Sequence, residues 1–183
     1  MQVIAGIAKG RKLKSLPGLS TRPILARIKK SLFDIIRLPV IEAAFLDLYA
    51  GTGSVGIEAL SRGAKSAVFI EKDPNAIKVI RDNLQLTRFL NQGQVLQGNV
   101  FDLLQRLGQA YNVIFVGPPY KLGVTKDTIA TIDKYQVLAE DGLVVAQHHY
   151  KEPMEINVGG LFMYRQERYG DTRLSFYRKA NSE

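Results

Sequence analysis

Two short stretches of the sequence carry residues suited to chemistry on a bound small molecule. DLYAGTGSVG, residues 47–56, places glycines at 51, 53 and 56 between a predicted strand and a predicted helix. VIFVGPPY, residues 113–120, runs from a buried apolar strand into a rigid turn that ends on an aromatic ring. The prolines end the strand because they lack a backbone N–H and fix φ. We therefore expect two loops at the ends of two core strands to carry the chemistry.

The glycine loop has the G-x-G-x-x-G spacing of nucleotide-binding loops, in which the backbone approaches the ligand and helix amides point outward. By itself this pattern has low specificity. Glu71 ends the next predicted strand, 20 residues after Gly51, where an acid would hold ribose hydroxyls. A nicotinamide or flavin nucleotide fits these features, and so does S-adenosylmethionine.

Asp47 helps to distinguish a dinucleotide from S-adenosylmethionine as the ligand. It lies four residues before Gly51 in an otherwise apolar strand end. A carboxylate repels a pyrophosphate but attracts the ammonium group of an amino-acid moiety. The proline turn also favours S-adenosylmethionine, because such a turn has no function in enzymes that use dinucleotides. We therefore predict S-adenosylmethionine as the cofactor. The alternative role for Asp47 is to brace the loop.

The basic residues of the chain are concentrated at its N-terminus. The whole chain has a net charge of +8, and residues 1–40, with nine basic residues and one acidic residue, account for all of it. Such a one-sided excess is typical of a surface that binds a polyanion, because each neutralised phosphate releases counterions. A solvated lysine-rich surface is the alternative. The pattern favours a nucleic acid as the partner.

Apolar periodicity predicts an α/β protein. The predicted strands are 44–49, 66–72, 94–99, 111–116 and 142–150, and the helices between them are 54–63, 74–87, 100–107 and 126–135. Strands that alternate with helices favour a parallel sheet, and the tail around Tyr169-Gly170-Asp171 predicts an antiparallel hairpin. A helix begins near Pro23, with Arg27, Lys29 and Lys30 off its apolar face, toward solvent or a partner.

Composition excludes several classes of protein. The chain has no cysteine, which excludes disulfides and thiolate metal sites, and its two histidines are adjacent. No apolar run approaches the roughly 20 residues of a membrane span, and the N-terminus lacks the apolar segment of a secretory signal. We therefore expect a cytoplasmic protein without a metal.

Taken together, the motifs resemble those of methyltransferases that modify exocyclic amines. The resemblance is carried by D-x-Y-x-G-x-G from Asp47, the acid at Glu71, Asn99 after the third strand and P-P-Y after the fourth. The basic opening, GIAKGRKLKS followed by TRPILARIKKSLFDII, is similar to one branch, the RsmD family. Members of that family methylate a guanine N2 in small-subunit (16S) ribosomal RNA. The resemblance covers nearly the whole chain.

This resemblance implies a fold and a division of labour. The fold is a Rossmann-like class I methyltransferase with a mostly parallel seven-stranded sheet and a C-terminal antiparallel hairpin. Residues 1–40 form a basic, RNA-binding extension of hairpin and helix, and residues 41–183 form the S-adenosylmethionine-dependent domain. The implied partner is ribosomal RNA within a partly assembled small subunit, met by a monomer.

It also implies roles for individual residues. Those at the methionine end of the donor are Asp47, Tyr49, Gly51, Gly53 and Ser54. Those at its ribose and adenine are Glu71, Lys72, Asn99 and the amide of Val100. The catalytic turn is Gly117, Pro118, Pro119 and Tyr120, with the tyrosine stacked on an extruded base. The RNA-binding residues are Arg11, Lys12, Arg22, Arg27, Lys29 and Lys30.

Two positions depart from the family pattern. Ile24 stands where members continue Arg-Pro with threonine, and Gly117 stands where they carry aspartate, or asparagine in relatives that act on adenine. An exocyclic amine is a poor nucleophile, and hydrogen-bond acceptors on its N–H groups favour a pyramidal nitrogen aimed at the methyl group. Gly117 leaves the Pro118 carbonyl and removes the side-chain acceptor. We therefore expect slow methyl transfer.

Three other functions fit parts of the pattern. A DNA adenine-N6 methyltransferase would use the same donor, but 183 residues leave no room for a large target-recognition domain. A donor-binding RNA module without turnover is consistent with Gly117. A nucleotide-dependent oxidoreductase accounts only for the glycine loop.

Overall fold

One eight-stranded sheet organises the chain in a computed structural model that describes residues 1–16 and 24–180. In chain order the strands are β1 Ala44–Leu48, β2 Ser66–Glu71, β3 Gly93–Gln97, β4 Tyr111–Val116, β5 Leu138–His149, β6 Asn157–Val158, β7 Leu161–Tyr169 and β8 Thr172–Lys179. Across the sheet their order is β3-β2-β1-β4-β5-β8-β7-β6. Strands β1 to β5 are parallel, and β8 is antiparallel to β5 and β7. The predicted fold is confirmed, with the two-residue β6 added at the edge.

Helices cover both faces of this sheet. They are α1 Ala26–Ile35, α2 Ser54–Ser61, α3 Pro74–Thr87, α4 Val100–Leu104 and α5 Thr125–Lys134, with a 3₁₀ turn at Tyr120–Leu122. α3 begins where predicted because Asp73 accepts a hydrogen bond from the Asn75 amide and Pro74 takes the first helical position. The predicted start of the first helix at Pro23 lies outside the described residues. None of the described helices is long and apolar enough to cross a bilayer.

The core has two layers because successive strand residues point to opposite faces of the sheet. Phe45, Phe69 and Phe115 pack on one face with residues of α1, α2 and α3. Leu46, Ile70 and Ile114 pack on the other face with residues of α4 and α5. Because β1 to β5 are parallel, their carboxyl ends lie along one edge of the sheet, which we call the site edge. In open α/β sheets ligands bind outside this edge.

The N-terminal segment is part of the core. Gln2 and Lys12 form an antiparallel bridge where a short hairpin or irregular strand pair was predicted, and Val3, Ala8 and Leu13 are buried. The segment is tied to α3 through Asn83, whose Oδ1 accepts from the Lys14 amide at 2.7 Å. Residues on both sides of position 40 pack in one core, so the predicted boundary there separates a basic segment from a neutral one and does not separate two cores.

A buried carboxylate on α2 gathers these N-terminal parts. Glu58 is 0% exposed, and its oxygens accept from the amides of Ile4 at 2.8 Å and Ala5 at 3.0 Å. The Lys29 ammonium lies 3.3 Å from Glu58 Oε2, and Arg62 Nε donates to Oε1 at 2.9 Å. One carboxylate thus joins the first residues of the chain, α1 and the end of α2.

The prediction that Lys29 faces solvent and binds RNA is wrong. Lys29 is 2% exposed and lies on the buried face of α1, together with Phe33 one turn on. A lysine buries its charge when an acid partner and hydrogen-bond acceptors are present. Glu58 is that partner, and the carbonyl of Gln2 accepts a hydrogen bond from Nζ at 3.2 Å. Burial lowers the pKa of Lys29, while Glu58 acts in the opposite direction.

Replacing Glu58 tests how far this cluster stabilises the fold. We expect Glu58→Gln to lower the free energy of unfolding by about 3–5 kcal/mol, because it leaves the buried Lys29 ammonium without a counter-charge. Urea unfolding followed by circular dichroism measures the loss. The matched control is Glu140→Gln, which removes a carboxylate that is 82% exposed and pairs with Lys179 at 2.9 Å. Equal losses in the two variants would contradict the role given to Glu58.

Candidate active site

The loop between β1 and α2 turns through three residues in the left-handed region. Tyr49 has φ 61°, Gly51 φ 57° and Gly53 φ 73°. A non-glycine residue in this conformation is uncommon and often marks a functional site. The hydroxyl of Tyr49 is fixed by Thr128 on α5, with 2.8 Å between the two oxygens. A Cβ on Gly51 would meet nothing within 4 Å, so this side of the loop is open to a ligand.

The third glycine of the motif serves packing. A Cβ on Gly56 would lie 2.3 Å from Cε1 of Phe69 on β2, so only a hydrogen fits there. α2 can therefore lie directly on the sheet, and its amino end points to the site edge. The spacing of the motif combines an open loop at Gly51 with close helix–strand packing at Gly56.

Asp47 lies beneath the loop. Its side chain is 1% exposed, and Oδ2 accepts from the Gly56 amide in the first turn of α2 at 2.9 Å. Burial raises the pKa of Asp47 to about 8, and the nearby Glu71 acts in the same direction, against the Gly56 hydrogen bond. In this structure Asp47 braces the loop from below. Its contact with the ammonium group of a donor stays a prediction.

Glu71 fixes the other side of the loop. Its Oε2 accepts from the Gly51 amide at 2.8 Å, and Oε1 accepts from the amides of Lys72 at 2.8 Å and Asp73 at 3.0 Å. An ionised carboxylate has about four acceptor sites. These three donors orient the carboxylate and leave it able to accept from a further hydroxyl group.

Asn99 and Val100 lie beside Glu71 at the site edge. The Gly98 amide donates to the Glu71 carbonyl at 3.0 Å, which holds the end of β3 against the end of β2. Asn99 caps α4 by accepting from the Phe101 amide at 2.8 Å, and the Val100 amide opens the first turn of that helix. First-turn amides have no partner within their own helix. The predicted donor residues therefore come together along three neighbouring strand ends.

The proline turn begins beside the same loop. The Gly117 amide points to the Leu48 carbonyl at the end of β1, at 3.3 Å. Gly117 has no left-handed φ, so its backbone would accept other residues. A Cβ there would lie only 2.7 Å from Cε1 of Phe115. The Phe115 ring thus occupies the place where a longer side chain at position 117 would begin.

Tyr120 is held in place by polar partners. Its hydroxyl lies 2.7 Å from Oγ1 of Thr172 on β8, and Nε2 of Gln147 on β5 donates to it at 3.3 Å. The ring meets His149 edge-on, with centroids 5.8 Å apart. Sequence reasoning missed Gln147 and Thr172. The signal for Gln147 was a polar residue at the carboxyl end of the apolar run LVVAQ.

The residues predicted to bind RNA do not form one patch. Arg27 is exposed, and its Nη2 lies 3.8 Å from the place of a Cβ on Gly170, in the β7–β8 turn at the site edge. Arg11 donates to the Leu86 carbonyl at 2.8 Å, near the far end of α3 and thus at the opposite edge. Lys12 is exposed, and Lys30 pairs with Asp34 at 2.7 Å. Arg22 lies outside the described residues.

The hairpin turn adds basic groups that the sequence analysis missed. The Arg168 guanidinium lies 4.3 Å from the ring centroid of Tyr150, and the Lys151 ammonium lies 5.7 Å from it. The signal for Arg168 was its place directly before the predicted turn at Tyr169-Gly170-Asp171, whereas Lys151 is distant from that turn in the sequence and gave no signal. Within residues 1–16 and 24–180 no group of histidine and acidic side chains could hold a metal ion.

Comparison with known proteins agrees with this geometry. The family described as Conserved hypothetical protein 95 matches residues 1–178. YlbH of Bacillus subtilis, provisionally named an rRNA methyltransferase, is 38% identical over 182 residues, covering 98% of this chain and 99% of YlbH. Ribosomal RNA small subunit methyltransferase D of Escherichia coli is 27% identical over 179 residues, covering 98% and 90%.

A solved structure supports the same assignment. The Escherichia coli protein yhhF, provisionally named a methyltransferase, superimposes with a TM-score of 0.87 at 28% identity. The match covers 98% of this chain and 97% of yhhF, so it includes both the basic extension and the C-terminal hairpin. Strand order, loop geometry and full-length similarity together show that the chain belongs to the RsmD family of ribosomal RNA small-subunit methyltransferases.

Proposed function

We propose that this protein transfers the methyl group of S-adenosylmethionine to the exocyclic N2 of a guanine in small-subunit ribosomal RNA. The observation that carries the proposal is the contact between the Gly117 amide and the Leu48 carbonyl, which sets the proline turn next to the glycine loop. Neighbouring strands lie about 4.8 Å apart. Donor and target base would therefore meet across a single strand spacing.

The donor fits the residues along β1, β2 and β3. The open side of Gly51 admits the methionine end, the Glu71 carboxylate accepts from the ribose hydroxyls, and the Val100 amide donates to the adenine edge. The loop is preorganised because Glu71 and Asp47 already hold its two sides. When bound, the donor supplies an electrophilic methyl group on a sulfonium.

The base fits the turn after β4. Tyr120 offers an aromatic face for stacking, which is the usual way to hold a base taken out of an RNA stack. The prolines fix the Pro118 carbonyl as one acceptor for the amine. In this structure the Tyr120 hydroxyl is bound to Thr172, so the ring is held in one orientation. Such positioning places the amine for in-line attack.

The RNA would approach over the site edge. Arg27, Arg168 and Lys151 gather near the β7–β8 turn, close to Tyr120 and His149. Phosphate contacts from such groups orient an RNA without reading its sequence. The names of the relatives indicate that the substrate is ribosomal RNA. We propose that this RNA is bound within a partly assembled small subunit.

A second candidate function is donor and RNA binding without turnover. The Phe115 ring favours it, because its Cε1 lies 2.7 Å from the place of a Cβ on Gly117, so the usual acid would fit only if that ring shifted. Loss of one preorganised partner of a transition state costs about 10²–10³ in rate. Unless another group supplies the acceptor, the protein would be a slow methyltransferase or none.

Methyl transfer can be tested directly. We expect the wild type, given methyl-labelled donor and partly assembled small subunits, to place label in N2-methylguanosine, as nucleoside analysis would detect. The donor, but not NADH, should raise the melting temperature. Glu71→Gln should weaken donor binding at least about tenfold, because hydrogen bonds to charged groups contribute about 1.5–3 kcal/mol, whereas Glu140→Gln at the opposite edge should not. Label in N6-methyladenosine, or stabilisation by NADH alone, would overturn the proposal.

RNA binding can be tested with two matched arginines. We expect Arg27→Ala to weaken RNA binding and to lower the salt dependence of the affinity by about 0.7–0.9 slope units, the value for one lost phosphate contact. Arg11→Ala removes the same charge from the opposite edge and should leave the slope nearly unchanged. Filter binding at several salt concentrations measures both. Equal effects would mean that the RNA does not cross the site edge.

Stability should depend on pH through Asp47. Its pKa is raised to about 8 in the folded protein, against about 3.9 when unfolded. Its contribution to stability is therefore complete below about pH 4 and is lost as pH rises toward 8, by at most about 1.4 kcal/mol per unit. Urea unfolding between pH 5 and pH 8 should show a steeper fall for the wild type than for Asp47→Asn. Parallel curves would contradict a buried, neutral carboxyl.

A further inference from the structure

A buried amide oxygen next to the proline turn has no hydrogen-bond partner. Among the described residues only Gln147 Oε1 and Thr125 Oγ1 are buried polar side-chain atoms in this condition. The amide nitrogen of the same Gln147 donates to the Tyr120 hydroxyl at 3.3 Å. An unsatisfied buried acceptor costs about 1–3 kcal/mol. Such a group in a native structure needs an explanation, and a function is one of them.

The strand register places Gln147 beside Gly117. β4 and β5 are parallel, with Val116 opposite Ala146, so continuing that register by one residue past the end of β4 sets Gly117 opposite Gln147. Phe115 and Val145, two residues earlier, pack in the same core layer. Because side chains alternate between faces, Gln147 and a side chain at position 117 would project on the same face. The backbones of Gln147 and Gly117 are thus one strand spacing, about 4.8 Å, apart.

The orientation of the amide suits an amine. Its nitrogen faces the Tyr120 hydroxyl, and that hydroxyl is in turn fixed by Thr172, 2.7 Å away. The carbonyl end is therefore left for another donor. Nearby acceptors are engaged elsewhere, since His149 Nδ1 accepts from the Lys151 amide at 3.2 Å and His148 Nε2 lies 2.8 Å from Ser175 Oγ. An exocyclic N–H group would satisfy Gln147 Oε1.

We propose that Gln147 is a catalytic residue whose side-chain carbonyl accepts a hydrogen bond from the exocyclic amine of the target base, in place of the acid that Gly117 lacks. The proposal rests on the methyl transfer proposed above. The guanine N2 lone pair forms the N–C bond to the methyl group while the C–S bond breaks, and its electron pair stays on the sulfur as a neutral thioether. The positively charged N2 then loses one proton to water, because the amide is too weak a base to take it.

The Phe115 ring and Gly117 fit this assignment. Cε1 of Phe115 lies only 2.7 Å from the place of a Cβ on residue 117, so a side chain there requires the ring to shift, and glycine avoids that shift. A hydrogen bond shielded from water is electrostatically stronger than an exposed one. Because Gln147 Oε1 is itself buried, its bond to an amine would be shielded in this way.

Removing the acceptor while keeping the shape tests the role of Gln147. We expect Gln147→Met to slow single-turnover methyl transfer about a hundredfold, the effect of deleting one preorganised partner of a transition state. Donor affinity by thermal shift and RNA affinity by filter binding should stay within about twofold, since the proposed bond forms only with the reacting amine. The variant also loses the bond from Gln147 to the Tyr120 hydroxyl, but Thr172 still holds that hydroxyl. The matched control is Gln94→Met, an exposed position at the start of β3. It should have the wild-type rate.

A conservative variant adds a readout that a structural role would not change. In Gln147→Glu the acceptor is a carboxylate, so the rate should rise with pH as that acid ionises. The wild type should have no such rise from this position, because an amide does not titrate. Circular dichroism and a melting curve check that each variant folds.

Restoring the acid at position 117 completes the test. In the Gln147→Met background, Gly117→Asp should recover the rate about a hundredfold, whereas in the wild type it should gain less than about tenfold, since residues that act on one group are non-additive. If the wild type is active and Gln147→Met has the same rate, the role of Gln147 is wrong but the proposed function stands. A wild type that binds donor and RNA but transfers no methyl group would overturn the proposed function as well.

Discussion

The carboxylate of Glu58 is the constraint on which the arrangement of this protein depends. It accepts hydrogen bonds from the amides of Ile4 and Ala5 and forms salt bridges with Lys29 and Arg62. Its helix, α2, begins at Ser54, directly after Gly53 of the glycine loop. The basic N-terminal segment is therefore fixed to the same helix that follows the proposed donor site. A buried charge of this kind requires all its partners, because an unpaired one costs several kcal/mol. The contacts proposed for RNA in α1 and for the donor in the loop would thus share one rigid support.

Much of the fold followed from local patterns. β4 was predicted as 111–116 and α3 as 74–87, the ranges that the structure has. Both are bounded by strong signals, a proline turn after Val116 and a proline at the first position of α3. The glycine loop and Glu71 could be assigned to one site because parallel strands bring their carboxyl ends to one edge. The two-residue β6 gave no signal, since it has too few residues for a period.

The failures share a physical cause. Lys29 was assigned to solvent because its own helix gave no reason to bury a charge, and its partner Glu58 lies 29 residues further along the chain. Gln147 was missed because Gly117, directly after β4, comes near it only through the pairing of β4 with β5. Arg168 and Lys151 meet only around Tyr150. Periodicity reports the face on which a residue lies. It does not report the groups that the fold sets against that face.

Asp47 shows what a carboxyl group undergoes at this edge of the sheet. Burial raises its pKa to about 8, so below that pH it is largely protonated and keeps less acceptor capacity. A carboxylate at position 117 would lie one strand away, next to the buried Phe115 ring, and would be desolvated in part, because that position is half-buried. The amide of Gln147 avoids this cost, because it is neutral and its carbonyl accepts at any pH. If the Gln147 carbonyl replaces an aspartate at position 117 as the acceptor, the hydrogen bond to the amine is weaker, but no group has to ionise. In the role proposed for Gln147, glycine at position 117 changes how the amine is held, and methyl transfer would use an acceptor from the neighbouring strand.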